Sequence, residues 1–245
     1  MNPGIALAVA HRVLLQLKRD RRTMALLLVV PCVLLVLLWW MFDADETTFN
    51  QLGPPLLAMF PFIVMFLVTS VTTLRERSSG TLERLLSMPM AKLDLLVGYA
   101  LAFGVVALVQ SLLAVGLTVG VLGMDLQGPL WALALVAILD AVLGTTMGLF
   151  VSAFAETEFQ AVQFMPAFVL PQLLLCGLFV PREEMAGALD TLAGALPLTY
   201  AFDALHRVSN DPGWSSGLTL DICVLAGAVA LSLALGAATL RRRTA

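Results

Sequence analysis

Asp140 is the one acidic residue that lies far from either end of an apolar run, so its carboxyl group is a candidate for proton or polar-substrate chemistry. Inserting an ionised Asp at the centre of a spanning helix costs roughly 2.5–3.5 kcal/mol on translocon scales. Keeping the group protonated at pH 7 costs about 4 kcal/mol. These costs are too similar to decide its charge, and two interpretations stay open. Asp140 is a proton or polar-substrate site, or it makes a structural hydrogen bond to Gln110, Thr145 or Thr146.

A second group of chemically active side chains forms the charged stretch Arg75–Met90, RERSSGTLERLLSMPM, between two long apolar runs. Ser78, Ser79 and Thr81 are candidate N-caps around Gly80. Leucines then recur at helical spacing, at positions 82, 85 and 86, until Pro89 ends the pattern. The stretch predicts a short amphipathic helix at a membrane face, presenting charge to a soluble partner.

Motifs for catalysis in this chain itself are absent from the sequence. It has no G-x-x-x-x-G-K-[ST] phosphate loop, and neither Lys18 nor Lys92 follows a glycine. No H-E-x-x-H motif occurs, and each cysteine lies alone in a different apolar run. We therefore predict no catalytic residue, no metal site and no cofactor in this chain.

The elements that position these residues are apolar helices. The chain is 60% hydrophobic and 13% charged, with a mean hydropathy of +0.93, whereas a soluble domain has about 25% charged residues. We predict an all-α polytopic membrane protein with one transmembrane domain over residues 1–245. Six apolar runs have roughly the 20 residues that a spanning helix needs: 23–42, 53–74, 95–122, 129–152, 161–180 and 217–240.

The basic residues predict the orientation. Twelve of the 14 Lys and Arg residues fall in three segments that six spans place on one side, which the positive-inside bias makes cytoplasmic together with both termini. Residues 5–22 mix apolar and basic side chains and predict an interfacial helix with its apolar side chains in lipid. Residues 181–208 carry two interrupted apolar stripes, which predict a re-entrant pair of short helices in the outer leaflet.

Two apolar runs also contain side chains suited to a path for a greasy substrate. Aromatic and Met side chains adapt to varied apolar surfaces, and glutamines in a proline-interrupted span favour a lining over a lipid face. Ordinary lipid contact and packing is the alternative for the second run. The candidates are Met59, Phe60, Phe62, Met65 and Phe66 in the second run, and Gln163, Phe164, Phe168 and Gln172 in the fifth.

The stretch R-E-R-S-S-G-T-L-E-R-L-L-S-M-P resembles a hallmark of type-2 ABC exporter permeases, the membrane subunits of bacterial drug, antibiotic and polysaccharide exporters. The later run from Gly177 to Arg207, G-L-F-V-P-R-E-E-M through L-P-L-T-Y-A-F-D-A-L-H-R, is similar to the fifth-span and outer-loop signature of the same family. With six predicted spans, the resemblance extends over essentially the whole chain.

The resemblance implies a permease that pairs with a second permease, expected to be an identical copy, and with two ATP-binding subunits that hold ATP and Mg²⁺. Residues 75–90 would be the coupling helix and 5–22 the connecting helix at the inner surface of a bacterial cytoplasmic membrane. Helices two and five of both protomers would enclose the path of a hydrophobic or amphiphilic cargo moved outward, and no nucleic acid is involved. The residues implied in coupling are Arg75, Glu76, Arg77, Gly80, Thr81, Glu83 and Arg84.

Two other classes of function fit parts of the same sequence. A membrane scaffold or assembly factor would use the charged helix equally well to bind a soluble partner. An ion-coupled carrier would use Asp140, but it usually also shows matched broken helices and further coupling-ion ligands.

Overall fold

The computed structural model describes residues 2–42, 46–81 and 91–239, and all regular secondary structure within these ranges is helical. This confirms the predicted all-α class. A short 3₁₀ turn, Arg182–Glu184, precedes α7. The helices are α1 Pro3–Arg19, α2 Arg21–Met41, α3 Glu46–Ser78, α4 Lys92–Gly120, α5 Leu130–Ser152, α6 Glu158–Leu175, α7 Gly187–Gly194, α8 Pro197–Asn210 and α9 Ser216–Thr239.

Five of these helices are long and apolar enough to cross a membrane: α2, α3, α4, α5 and α9. They correspond to the first four and the last of the predicted runs. The fifth run forms α6, which has 18 residues and is not among the five, because Gln160, Gln163 and Gln172 reduce its apolar character. The count of six spans therefore stays a prediction.

The predicted boundary between span two and the charged stretch is displaced. Helix α3 continues without interruption through Arg75, Glu76 and Arg77 to Ser78, so these charges belong to the long helix. The chain then turns at Gly80, where φ is +71°, a conformation that glycine adopts without strain. Residues 82–90, which include Glu83 and Arg84 and most of the predicted coupling helix, lie outside the described residues.

The centre of the fold is the contact between α3 and α5. Gly144 and Gly148 lie against the backbone of α3, where an added Cβ would come within 2.5 Å of the carbonyl oxygens of Phe62 and Phe66. Small residues four apart allow this close approach between two helices. Helices α4 and α9 pack on the other sides of α5.

Helix α1 packs along α4, which corrects the expected position of some of its apolar side chains, although Leu7 stays exposed. Val9, Val13 and Leu17 are buried in a cluster with side chains of α4, not turned to lipid. The predicted segment 5–22 is also two helices, because Asp20 separates α1 from α2. The Asp20 carboxylate accepts hydrogen bonds from the backbone N–H and the hydroxyl of Thr23 and so caps the start of α2.

Residues 181–208 contain the two short helices that their stripes predict, although α8 continues to Asn210. The apolar face of α8 is buried against α3, α5 and α9. Hydroxyls of Thr199 and Tyr200 donate to the carbonyl oxygens of Ala193 and Gly194 at the end of α7. The two helices thus form one unit, whose depth in a membrane stays a prediction.

Candidate functional site

The end of α3 is a charged junction formed by Arg75, Glu76 and Arg77. The Arg75 guanidinium donates from Nε and from one terminal nitrogen to the two carboxylate oxygens of Glu158, at 2.8 and 2.9 Å. This bidentate geometry fixes orientation as well as distance. Both side chains are more than half exposed, so the pair positions the start of α6 and adds little to stability.

Glu76 is the buried member of the junction. Its carboxylate accepts a hydrogen bond from Arg12 of α1 at 2.8 Å and another from the Tyr99 hydroxyl of α4. The Glu76 side chain is 7% exposed and that of Arg12 is 32% exposed. A carboxylate withdrawn this far from water needs such partners. Glu76 therefore joins α1, α3 and α4.

Arg77 connects the same end of α3 to the end of α5. Its guanidinium donates to the carbonyl oxygens of Ala153, at 2.9 Å, and Ala155. A basic side chain at a helix C-terminus satisfies carbonyl groups that lack partners within the helix. Together, three consecutive residues of α3 make side-chain hydrogen bonds to α1, α4, α6 and the end of α5.

Of the other predicted coupling residues, Gly80 forms the turn and the Thr81 hydroxyl lies 2.9 Å from that of Ser79. Arg12, Tyr99 and Glu158 complete the junction from other helices. The hydrophobic periodicity of the sequence does not indicate that they belong to this site. The sequence shows the charges of Arg12 and Glu158, but it contains no indication that these side chains contact α3.

The predicted substrate path is only partly at a surface. Phe62, Met65 and Phe66 are fully buried in the core of this chain, because α3 packs closely on α5 and α4. Met59 and Phe60 are half-buried. In α6, Gln163 and Phe168 are exposed and Phe164 is half-buried. Gln172 is buried. Its side-chain amide donates a hydrogen bond to the Phe168 carbonyl oxygen and accepts one from the Leu198 N–H.

The buried polar side chains Gln110, Thr145 and Thr146 do not bond to Asp140, which was one of the two interpretations of that residue. The Gln110 amide donates to the Leu27 carbonyl oxygen at 3.0 Å, and Thr145 and Thr146 donate to backbone carbonyls of their own helix. Asp140 is fully buried, and neither of its oxygens has a hydrogen-bond partner within the described ranges. The predicted hydrogen bond from these side chains to Asp140 is therefore wrong.

A cavity of about 610 Å³ lies beside the charged junction, between α1, the first turn of α2, α3 and α6. The sequence pattern does not predict this cavity, because its described walls come from four separate helices. The apolar walls are Val13, Leu17, Leu67, Val68, Val71 and Val162, and the polar ones are Gln16, Asp20, Thr23, Thr72, Arg75, Glu76, Ser79 and Thr81.

Comparison with known proteins identifies relatives of this chain. The family model for the ABC-2 type transporter matches residues 6–208. The chain is 27% identical over 168 residues to the probable multidrug ABC transporter permease YbhR of Escherichia coli K12, an alignment that covers 66% of this chain and 46% of the relative. It is 30% identical over 139 residues to the inner membrane transport permease YhhJ of the same strain, covering 56% and 37%.

ABC transporter G family member 20 of Dictyostelium discoideum is 23% identical over 157 residues, covering 64% of this chain and 22% of the relative. The chain thus spans less than half the length of these curated relatives. The family match nevertheless covers most of the chain and includes the charged stretch and the outer segment that carry the sequence resemblance. The chain therefore belongs to the ABC-2 type transporter family.

Proposed function

We propose that this chain is the permease subunit of an ATP-driven exporter, with ATP hydrolysis in two copies of a separate ATP-binding subunit. Family membership and five apolar helices support this. The observation that carries the proposal is the junction of Arg75, Glu76 and Arg77. Through its hydrogen bonds, a displacement of the end of α3 would also move α1, α4, α5 and α6.

The proposed topology has six spans, with both termini in the cytoplasm of a bacterial cell, in its cytoplasmic membrane. Helix α6 is the fifth span, and its exposed face, which includes Gln163, is covered by a second copy of the permease. Polar side chains within membrane spans face protein or a water-filled cavity, and Gln163 lies exposed on α6 in the single chain. The whole of 1–245 then acts as one transmembrane domain.

Coupling starts at residues 75–90, which dock on the ATP-binding subunit. A 33-residue α3 is about 50 Å long, against a hydrocarbon core of about 30 Å. The helix is therefore long enough for the end that carries Arg75–Arg77 to extend beyond the membrane core. The Gly80 turn follows α3 at this end, and Glu83 and Arg84 are the further residues of 75–90 that we expect to contact the ATP-binding subunit.

Transport then follows from two packings of the bundle that are close in energy. ATP binding draws the two ATP-binding subunits together, and α3 moves with α1 and α6 because its end is bonded to both. The cargo is hydrophobic or amphiphilic and passes between α3 and α6 of the two protomers. The exposed and half-buried side chains along that path are Met59, Phe60, Gln163, Phe164 and Phe168.

The substitution Glu83→Lys tests this coupling. We expect ATP hydrolysis by the reconstituted complex to continue without export, because a reversed charge disturbs docking but leaves the apolar spans unchanged. Glu184→Lys, an exposed acid on the opposite membrane face in the proposed topology, is the matched control. Normal export by the Glu83→Lys complex would reject residues 75–90 as the coupling segment.

A further inference from the structure

We propose that the cavity between α1, α2, α3 and α6 binds an amphiphile that has an apolar body and an uncharged, hydrogen-bonding head. Its volume of about 610 Å³ falls within the range of about 300–1,000 Å³ for small-molecule pockets. This site is separate from the aromatic stripe on α3, since Phe62 and Phe66 are buried on another face of that helix.

The apolar part of the ligand would lie between two walls of branched aliphatic side chains. Val13 and Leu17 of α1 form one wall, and Val68 and Val71 of α3 form the other, with Val162 of α6 beside them. None of these side chains carries a polar atom, so this part of the cavity offers contact without directional bonding. Such walls bind an alkyl or ring body through apolar burial.

Among the described residues, each charged group that lines the cavity already has a partner. Arg75 is held by Glu158 and Glu76 by Arg12 and Tyr99. The Asp20 carboxylate accepts two hydrogen bonds from Thr23, and these bonds lower its pKa, so it stays ionised and occupied. A charged head would meet groups whose charge is already balanced or hydrogen-bonded by these partners.

Two neutral groups remain open on opposite walls. The side-chain amide of Gln16 and the hydroxyl of Thr72 line the cavity and make no hydrogen bond to other groups in the described part of the chain. An amide and a hydroxyl together offer donors and acceptors without net charge. They are suited to a hydroxyl, carbonyl or amide on the ligand, which defines the chemical class that we infer.

The position of the cavity indicates its role. It opens beside the charged end of α3, at the level where α1 joins α2 through Asp20. In the proposed topology this is the cytoplasmic leaflet. The cavity would then take up cargo from that leaflet before it reaches the path between protomers. This role rests on the proposed transport function, whereas binding of an amphiphile does not.

Photolabelling of the full-length protein in phosphatidylcholine nanodiscs tests binding directly. The probe is a 16-carbon primary alcohol that carries a diazirine, and mass spectrometry of the peptides locates the adducts. We expect adducts concentrated on residues 13–17 and 67–72. Val162→Trp and Val71→Trp, which fill the cavity from different walls, should each reduce labelling of these residues severalfold.

Val105→Trp is the matched control. Val105 is 47% exposed and Val162 is 46% exposed, but Val105 lies on α4, away from the cavity. It should leave the labelling unchanged. Adducts spread evenly over exposed faces of the spans, or an equal loss in all three Trp variants, would overturn the proposed site. Retained circular dichroism and monodisperse elution establish that each variant is folded.

The head specificity has its own test. Thr72→Val and Gln16→Leu should each reduce labelling by the alcohol about 2- to 10-fold, the effect of one lost hydrogen bond. The trimethylammonium and carboxylate analogues with the same chain should label the cavity less than the alcohol does. Stronger labelling by either charged analogue would overturn the inference of a neutral head. Cavity labelling in a protein that exports nothing would instead reject the transport function and leave the site standing.

Discussion

Replacement of Glu76 by Ala tests the junction at the end of α3. The change removes the carboxylate that Arg12 and Tyr99 share, and it leaves the Arg12 guanidinium without its ion-pair partner. Removing one partner of a fully buried ion pair costs about 3–5 kcal/mol. Arg12 keeps 32% of its side chain exposed, so water compensates part of this loss, and we expect a destabilisation of about 1–3 kcal/mol.

The assay is equilibrium unfolding in mixed micelles with increasing SDS, followed by circular dichroism, for Glu76→Ala, Arg12→Ala and the double variant. The two single changes should not add, and a coupling free energy of about 1 kcal/mol or more is expected for a direct pair. Glu156→Ala, an exposed acid without an ion-pair partner in the described residues, is the control. Additive effects of Arg12→Ala and Glu76→Ala within about 0.5 kcal/mol would refute the reasoning.

Three further predictions concern packing, a buried acid and pH. Gly148→Leu should lower the free energy of unfolding by about 1–3 kcal/mol, since even a Cβ lies within 2.5 Å of the Phe66 carbonyl; Gly116→Ala, which meets open space, should be neutral or slightly stabilising. Asp140→Asn should change the free energy of unfolding by less than about 1 kcal/mol, because one unpaired buried polar group replaces another of the same size; a larger loss of stability in the same SDS titration would show that the carboxyl group has a partner. Burial raises the pKa of Asp203 above its usual 3.8, so the folded state holds this proton more tightly than the unfolded state. The contribution of Asp203 to the free energy of unfolding is therefore largest below pH 3.8 and declines as the pH rises through the raised pKa. Asp203→Asn should reduce this dependence of stability on pH.

Composition and hydropathy were sufficient to predict the helical class and the positions of most apolar helices. Long runs without charge have few alternatives to a spanning helix, and α2, α4, α5 and α9 begin and end within a few residues of the predicted runs. The predicted helix ends differ from the observed ones where polar side chains near those ends form hydrogen bonds within the fold. Helix α3 continues to Ser78 because its last turn is bonded to neighbouring helices, and Asp20 divides the N-terminal segment by capping α2.

The candidate site was less predictable than the fold. The charge pattern located Arg75, Glu76 and Arg77. Their partners are spread along the chain: Arg12 lies 64 residues and Tyr99 lies 23 residues from Glu76, and Glu158 lies 83 residues from Arg75. Pairing over such separations depends on how helices pack, which hydropathy does not encode. The same limit explains why the cavity was missed and why buried Phe62 was placed on a substrate path.

Whether an ATP-binding subunit accompanies this chain is the most direct test of the proposed function. The measurement is affinity purification of the tagged full-length protein from mild detergent, followed by mass spectrometry and quantification of its partners, with Glu83→Lys as the paired variant. We predict one ATP-binding subunit per permease chain in the wild-type sample and a reduced amount with the variant. Repeated purification of well-folded protein without any ATP-binding subunit would contradict the account and favour a membrane scaffold or an ion-coupled carrier.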